Sequence, residues 1–457
     1  MEKFNVIVVG AGPAGATAAY LLAQAGMEVV MIERGATPGS KNVSGALAFS
    51  HVYDEIYPRF WESAPVERGI VGHSIVFLGK EASVTLDYRD LAEATSPSPN
   101  PSQGAGNGAP SPNPSQREGD RSKGANAYSV LRARFDPWMA QQAEEAGAML
   151  LPGYTVERLL MEEGRVVGIH AGGDDLMADV VVIAEGTRSQ LLRQAGLRDD
   201  FNAHDVSIGV KEVIALPEDV ITNRFQCMSA DEGVAYTCVG HTGGVDGGGF
   251  LYTNRDTISL GVVVKIDSLY RSKRQPHNIL DEFKAHPFVQ RLIRGGEVVE
   301  YSAQAIHRGG VHLMPQLYGD GYVVAGSAAR LLLNNVMTLR GMDVAVASAA
   351  SAARAILAAR EGGDYSKEAL SAYETHFKQT DVYKDMVTFK DTYALMDNQR
   401  LFNVYPDLAC NVMGDMFSVR ERPGRKVYGA LRDNMKEELS LWQMMKDMAQ
   451  IGRGLVR

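Results

Sequence analysis

The segment from Phe4 to Arg34 leaves a chain few ways to fold. It reads Phe4-Asn-Val-Ile-Val-Val-Gly10-Ala-Gly12-Pro13-Ala14-Gly15, runs on through small residues to Leu22, and closes with Met27-Glu-Val-Val-Met-Ile-Glu33-Arg34. Strand, glycine turn, helix and a second strand ending in an acid follow in the order that a dinucleotide-binding βαβ unit requires. Gly10 permits the tight turn, Gly12 lets the backbone approach a pyrophosphate, and Gly15 lets the helix pack closely on the strand. Pro13 and Ala14 open that helix, so its N-terminal amides face the phosphates. Glu33 stands where it can accept hydrogen bonds from an adenosine ribose. The motif alone does not choose between NAD and FAD. Its place at the start of the fold favours FAD, as do Arg34 and the polar glycine loop Gly39-Ser-Lys41-Asn42-Val-Ser44-Gly45. Lys41, Asn42, Ser44 and Gly45 are therefore further candidates to line an extended dinucleotide.

A length of 457 residues allows two or three domains with an ample core. A net charge of -9 with 45% hydrophobic residues predicts a soluble, mildly acidic protein and argues against nucleic acid as a partner. The 3 cysteines, Cys227, Cys238 and Cys410, form no CxxC pair. They cannot supply the four thiolates of an iron–sulfur cluster, and they make a disulfide framework unexpected. No cleavable signal precedes the first strand, so a cytoplasmic chain is expected. The apolar run Val344-Ala-Val-Ala-Ser-Ala-Ala-Ser-Ala-Ala is short and rich in small residues, and predicts a buried helix. His241, His307 and His312 have no metal-ligand spacing, and Ser189 lacks the pattern of a nucleophile elbow. Neither a metal nor a catalytic side chain is expected; a flavin needs only to be held, tuned electrostatically and screened.

Residues 95–126 stand apart, with Pro97-Ser-Pro-Asn-Pro-Ser-Gln repeated from Pro110 and almost no large apolar side chains. Such a segment cannot bury enough surface to offset its ordering entropy, which predicts a flexible insertion within a domain. A helix is expected from Asp136 as N-cap, with Pro137 at its first position, to Gly147. A β-meander follows: Val156 to Leu160, a turn at Glu163-Gly164, Val166 to His170, and Asp179 to Ala184, which leads into the turn at Gly186. Residues 206–315 carry strand patterns such as Thr257-Ile-Ser-Leu-Gly-Val-Val-Val. The strand Gly321 to Ala325 and the turn Gly326-Ser327 then return the chain to the cofactor. A helix starting near Gly341-Met342-Asp343 would aim its positive end at the flavin pyrimidine.

The fold class is α/β: a FAD-binding Rossmann-like domain made of residues 1–94, 127–205 and 316–375, an inserted β-rich substrate or quinone domain at 206–315, and a helical C-terminal region at 376–457. In that last region Leu439, Leu441, Trp442, Met445, Met448 and Ile451 recur at helical spacing. They predict a terminal helix packed on its own protein by one apolar face, with docking to a membrane surface or a partner as the alternative. The basic residues Arg420, Arg422, Arg425, Lys426, Arg432 and Lys436 precede it.

Several stretches are more specific. Tyr128-Ser-Val-Leu-Arg132-Ala-Arg-Phe-Asp, Gly247-Gly248-Gly249-Phe-Leu-Tyr-Thr-Asn, Pro315-Gln-Leu and Leu339-Arg-Gly341-Met342-Asp all resemble the FixC family of flavoproteins. So do Pro65-Val-Glu-Arg, Val210-Lys-Glu-Val, Phe283-Lys-Ala-His-Pro and Asn403-Val-Tyr-Pro. The family is related to electron transfer flavoprotein:quinone oxidoreductases and, more distantly, to geranylgeranyl reductases. The resemblance runs nearly end to end; only the proline-rich insertion is foreign.

It implies a FAD enzyme that passes electrons from an electron transfer flavoprotein to a quinone or a ferredoxin-like partner. It also implies that Arg132 contacts FAD and that Gly247 and Gly248 approach the quinone through their backbone. The quinone oxidoreductases carry an iron–sulfur domain in the same chain, so a separate ferredoxin-like subunit and the electron transfer flavoprotein subunits are expected here as partners. Peripheral contact with the inner face of a membrane stays open as an alternative to a purely cytoplasmic location. The family usually carries Asp where this chain has Ser327 and an uncharged residue where it has Arg330. Ser327 is then a weakened polar contact, and Arg330 either raises the flavin potential or obstructs the ring. A prenyl (geranylgeranyl) reductase and a FAD-free scaffold subunit are the alternative readings.

Overall fold

A computed structural model describes residues 3–42, 45–90, 124–199, 202–419, 423–424, 426–435 and 439–455. Ser44, nearly all of the proline-rich insertion, and Arg420, Arg422, Arg425 and Lys436 lie outside the described residues.

The βαβ unit forms as its glycines require. Lys3–Val9 and Val29–Glu33 are parallel strands joined by the helix Pro13–Gln24, with Gly12 as N-cap and Pro13 in the first turn. The helix buries Ala14, Ala16, Ala18, Ala19 and Leu22, a face of small residues that lets it lie close to the strands. Gly10 adopts φ +97, and a Cβ there would stand 2.5 Å from the Ala184 carbonyl oxygen. A Cβ on Gly15 would overlap the Gly10 carbonyl oxygen, so that position is closed to any side chain.

Around this unit the first sheet runs Tyr318–Gly319, Tyr322–Val324, Asp174–Ile183, Lys3–Val9, Val29–Glu33 and Met149–Pro152. The predicted meander is present: Val156–Glu162 and Arg165–Ala171 pair with each other, and the latter pairs with Asp174–Ile183. Glu163 and Gly164 both take positive φ in the turn between them. The helix Met342–Gly362 crosses beneath, with Val344, Val346 and Ala349 among its fully buried residues. It is long and apolar enough to cross a membrane, yet 83% of its apolar window is buried inside the protein.

The second sheet reaches beyond the segment 206–315. Its order is Glu297–His307, Val206–Ala215, Thr257–Lys265, Gly247–Thr253, Glu232–Val239, Val66–Leu78, Ala127–Val130 and Ala46–Phe49, with Ser83–Arg89 paired to Val66–Leu78. Four of its strands thus come from residues 46–130, three before the insertion and one after it. Period-2 alternation gives each strand two faces. Val76, Leu78, Val210, Ile214, Leu251, Leu260, Val262 and Val264 form a second core with Ile279, Leu280 and Phe283 of the helix Pro276–Ala285. The opposite face, with Ile75, Phe77, Ala235, Thr237, Phe250, Tyr252 and Val263, turns toward a cavity between the sheets.

Two expectations need correction. The helix expected from Asp136 begins one turn earlier, as Arg132–Glu145 with Leu131 as N-cap, and Pro137 lies inside it. Asp136 is fully buried and binds Arg132 four residues earlier, a pairing that only helical spacing provides. In the helix Leu441–Leu455, the face that packs is anchored by Asp447 rather than by the apolar stripe. Asp447 is 1% exposed and accepts bonds from Arg400 Nε at 2.7 Å, Arg400 Nη2 at 2.6 Å and Tyr405 Oη at 2.9 Å. Leu441, Trp442, Met445 and Met448 are left exposed, whereas Leu439 is buried and Ile451 reaches the cavity.

Candidate functional site

One cavity of about 1090 Å³ runs from the glycine turn, between the two sheets, to the C-terminal helices. That exceeds the roughly 300–1,000 Å³ common for small-molecule sites, as an extended dinucleotide with a second ligand requires. Gly10, Gly12, Pro13 and Ala14 line one end, and Gly12 faces open space: the nearest atom to a Cβ placed there is Arg132 Nη2 at 3.8 Å. Gly15 lies beneath the turn, under Gly10, and shapes the site without lining it.

Glu33 lines the same end, with Oε2 accepting from the Ala11 amide at 3.0 Å and Oε1 from the Gly35 amide at 2.7 Å. Each carboxylate oxygen retains a second acceptor direction, so the acid is held rigidly and can still receive a ribose hydroxyl. Arg34, Lys41, Asn42, Gly45, Val156, Ala184 and Gly186 also stand in the wall. Asn42 Nδ2 donates to Asp136 Oδ2 at 3.0 Å, and Arg132 donates to both oxygens of the same carboxylate at 2.6 Å. The fixed bidentate geometry holds the guanidinium opposite Gly12, where it can meet a phosphate.

Ser327 and the helix start Gly341-Met342 complete the cofactor half of the wall. Gly326 is not in it: with φ +65, a Cβ there would lie 2.9 Å from Ala14 Cβ and 3.2 Å from Ala345 Cβ, so it marks the crossing of two helices with the turn. Asp343, in the first helical turn, would offset the positive helix end, but Arg340 Nε binds it at 2.7 Å. The ion pair leaves the field of the N-terminal amides to act on the cavity. Arg330 is also outside the wall. Its charge acts with that of Arg198 on His307, and both lower the imidazole pKa.

At the other end Gly247 and Gly248 line the cavity, and both are also demanded by packing. A Cβ on Gly247 would collide with the Val263 carbonyl oxygen, and one on Gly248 would stand 2.7 Å from that of Cys238. Next to them is a polar group that the sequence did not advertise, because its members are far apart in the chain. Asp397 accepts from Lys265 Nζ at 2.6 Å and pairs with Arg308 Nη2 at 2.9 Å. The Arg308 guanidinium lies 3.9 Å from the centre of the Tyr393 ring. Asp246 is 2% exposed, and its Oδ1 has no hydrogen-bond partner among the described residues. Burial raises its carboxyl above the ordinary range despite Lys265. Met396, Leu401, Phe402 and Ile451 close this end with apolar surface.

His307 binds the Thr187 carbonyl oxygen through Nε2 at 2.8 Å, and burial lowers its pKa to about 4. His241 and His286 stack edge to face at 4.7 Å. Among the described residues no group of three metal-ligating side chains converges.

The comparisons with known proteins divide along these parts. Residues 5–94 match the FAD dependent oxidoreductase model, 206–306 the ubiquinone-binding model of electron transfer flavoprotein-quinone oxidoreductases (ETF-QO), and 392–455 the ETF-QO/FixC C-terminal domain. The chain is 39% identical to the probable electron transfer flavoprotein-quinone oxidoreductase YdiS of Escherichia coli, over 98% of this chain and 97% of that one. It is 40% identical to protein FixC of the same organism, over 92% of this chain and 91% of that one. The geranylgeranyl bacteriochlorophyll reductase-like structure from Thermoplasma acidophilum shares the fold at 21% identity, with a TM-score of 0.69 over 99% of this chain and 100% of that one. With relatives aligned along nearly its whole length and family models matching both sheets and the terminal helices, the chain belongs to the ETF-QO/FixC family and is an FAD-dependent oxidoreductase.

Proposed function

We propose that the protein takes electrons from an electron transfer flavoprotein and delivers them to a quinone, with FAD lying along the cavity from Glu33 past Gly12 toward Gly341. Bound FAD supplies the electron-transfer chemistry. The chain holds its phosphates with the backbone at Gly12 and the Arg132 guanidinium, excludes water with the sheet face around Phe250 and Tyr252, and offers protons at the acceptor end.

The observation that carries the acceptor assignment is the polar group at the apolar end of the cavity. A quinone head accepts hydrogen bonds at two carbonyl oxygens and takes up two protons on reduction. Asp246, beside Gly247, with its carboxyl raised by burial and one oxygen without a hydrogen-bond partner among the described residues, is placed to relay a proton, and Lys265 and Arg308 stand nearby. An isoprenoid double bond also takes up a proton on reduction but offers no oxygen to accept hydrogen bonds from a polar group, which favours a quinone over a prenyl substrate.

A separate ferredoxin-like subunit is part of the proposal, since Cys227, Cys238 and Cys410 lie on different elements and cannot jointly hold a cluster. So is a cytoplasmic location with peripheral contact to the inner face of the membrane, which the exposed Trp442, Met445 and Met448 support. The acceptor is tested by mixing the dithionite-reduced, FAD-loaded protein anaerobically with a short-tailed ubiquinone or with a geranylgeranyl diphosphate. Saturable reoxidation by the quinone is expected. Reoxidation by the prenyl compound alone would overturn the assignment.

A further inference from the structure

Lys211 is a buried lysine whose amine none of the groups named so far engages. It lies on Val206–Ala215, opposite Gly261 on one neighbouring strand and Ser302 on the other. Val210 and Ile214 on the same strand belong to the second core, so Lys211, by alternation, sits on the face of the sheet that looks toward the cavity. It is 1% exposed, and its Nζ has no hydrogen-bond partner among the described residues. A Cβ placed on Gly45, at φ +73, would collide with that Nζ and with Ser259 Oγ. The amine is thus pressed against the back of the Gly45 backbone, whose front, with Ala46 and Leu47, lines the cavity between the sheets.

We propose that Lys211 is a positioning residue that senses the charge of the cofactor through the thin Gly45 wall, taking up a proton when FAD is reduced and releasing it when FAD is reoxidised. The inference rests on FAD as cofactor and not on the identity of the electron donor or acceptor. Burial holds the Lys211 ammonium well below its ordinary pKa, so a neutral amine is available to accept a proton. The charges that face it are few. Glu300, on Glu297–His307, favours the ammonium, and Arg132 opposes it while being neutralised by Asp136. Glu212, the next residue on its own strand, is engaged by Lys284 at 2.8 Å. Ser259, from Thr257–Lys265, contributes no charge. A negative charge added on the cavity side of Gly45 therefore favours the Lys211 ammonium in the same sense as Glu300.

The balance is two electrons from the reductant, one proton to the reduced cofactor and a second to Lys211 Nζ. Each proton coupled to a two-electron change moves the potential by about 30 mV per pH unit, the tenfold step for such a couple. The test is a redox titration of the FAD-loaded protein, in wild type and in K211M and K211Q, at intervals from pH 6 to 9, read by flavin absorption. K211M keeps the volume of the side chain and removes the amine. The wild type is expected to show a window with a slope of about 59 mV per pH unit that falls to about 30 in both variants, with pH-indicator dye reporting one fewer proton taken up. Equal slopes in wild type and variants, or a wild-type slope of about 30 throughout, would overturn the proposal while leaving the cofactor assignment intact. A wild-type chain that binds no FAD would overturn both.

Discussion

Gly12 and Gly15 belong to one motif, yet the structure predicts opposite consequences for replacing them. Gly12 has φ -78 and ψ -174, an extended conformation open to any residue, and a Cβ there meets nothing nearer than Arg132 Nη2 at 3.8 Å. Gly12→Val should therefore fold, with a cost to the FAD-free protein below about 1 kcal/mol. The space its side chain enters is the space a pyrophosphate needs. The variant should lose the stabilisation that FAD gives the wild type, about 2.7 kcal/mol at a concentration 100 times Kd. Gly15→Ala is the reverse case, since its Cβ overlaps the Gly10 carbonyl oxygen and must push the helix from the strand. Overpacking of this kind costs about 1–3 kcal/mol or more even without ligand. Thermal melts with and without FAD separate the two, with flavin fluorescence quenching as the binding assay. A Gly12→Val protein with wild-type affinity for FAD, or a Gly15→Ala protein as stable as wild type, would refute the reasoning.

Two further perturbations follow from buried polar groups. His307 is buried, with a pKa lowered to about 4, so between that value and its ordinary 6.5 the unfolded chain binds the extra proton. Stability is lost as pH falls through this window, by at most about 3 kcal/mol; His307→Gln should flatten this acid limb in urea melts at pH 7, 5.5 and 4, and an unchanged limb would contradict the assignment. Asp447→Ala strands the Arg400 guanidinium and Tyr405 hydroxyl, and should cost about 2–4 kcal/mol. The loss should appear as early proteolysis within residues 392–455, while FAD binding persists; simultaneous loss of both would show the helical region to be inseparable from the cofactor half.

What the sequence made legible was what local rules control. The glycine turn, the meander with its Glu163-Gly164 turn and the buried helix after Gly341 depend on nearest neighbours, on φ and on periodicity, and each stands where it was expected. Pairings between distant segments left no such trace. Nothing around Ala46 or Ala127 announces that their strands complete a sheet begun by residues 206–307. Asp136 reads as an N-cap because Pro137 follows it, and only burial beside Arg132 and Asn42 shows that its carboxylate is spent on them. The stripe from Leu441 to Met448 has the periodicity of a packed face, but the Asp447–Arg400 pair outweighs it and turns the helix the other way. Nothing in Val210-Lys211-Glu212-Val213 announces that the Lys211 amine is buried against Gly45.

The central claim, that electrons enter from an electron transfer flavoprotein and leave to a quinone, is tested most directly by an anaerobic stopped-flow experiment. The FAD-loaded protein is mixed first with reduced electron transfer flavoprotein and then with a short-tailed ubiquinone, while its flavin absorption is followed. The account predicts bleaching in the first mix and recovery in the second, with recovery slowed by at least tenfold in Asp246→Asn, which removes the proton relay beside Gly247. A flavin that stays oxidised in the first mix, or that bleaches and is reoxidised by oxygen but not by quinone, would contradict it.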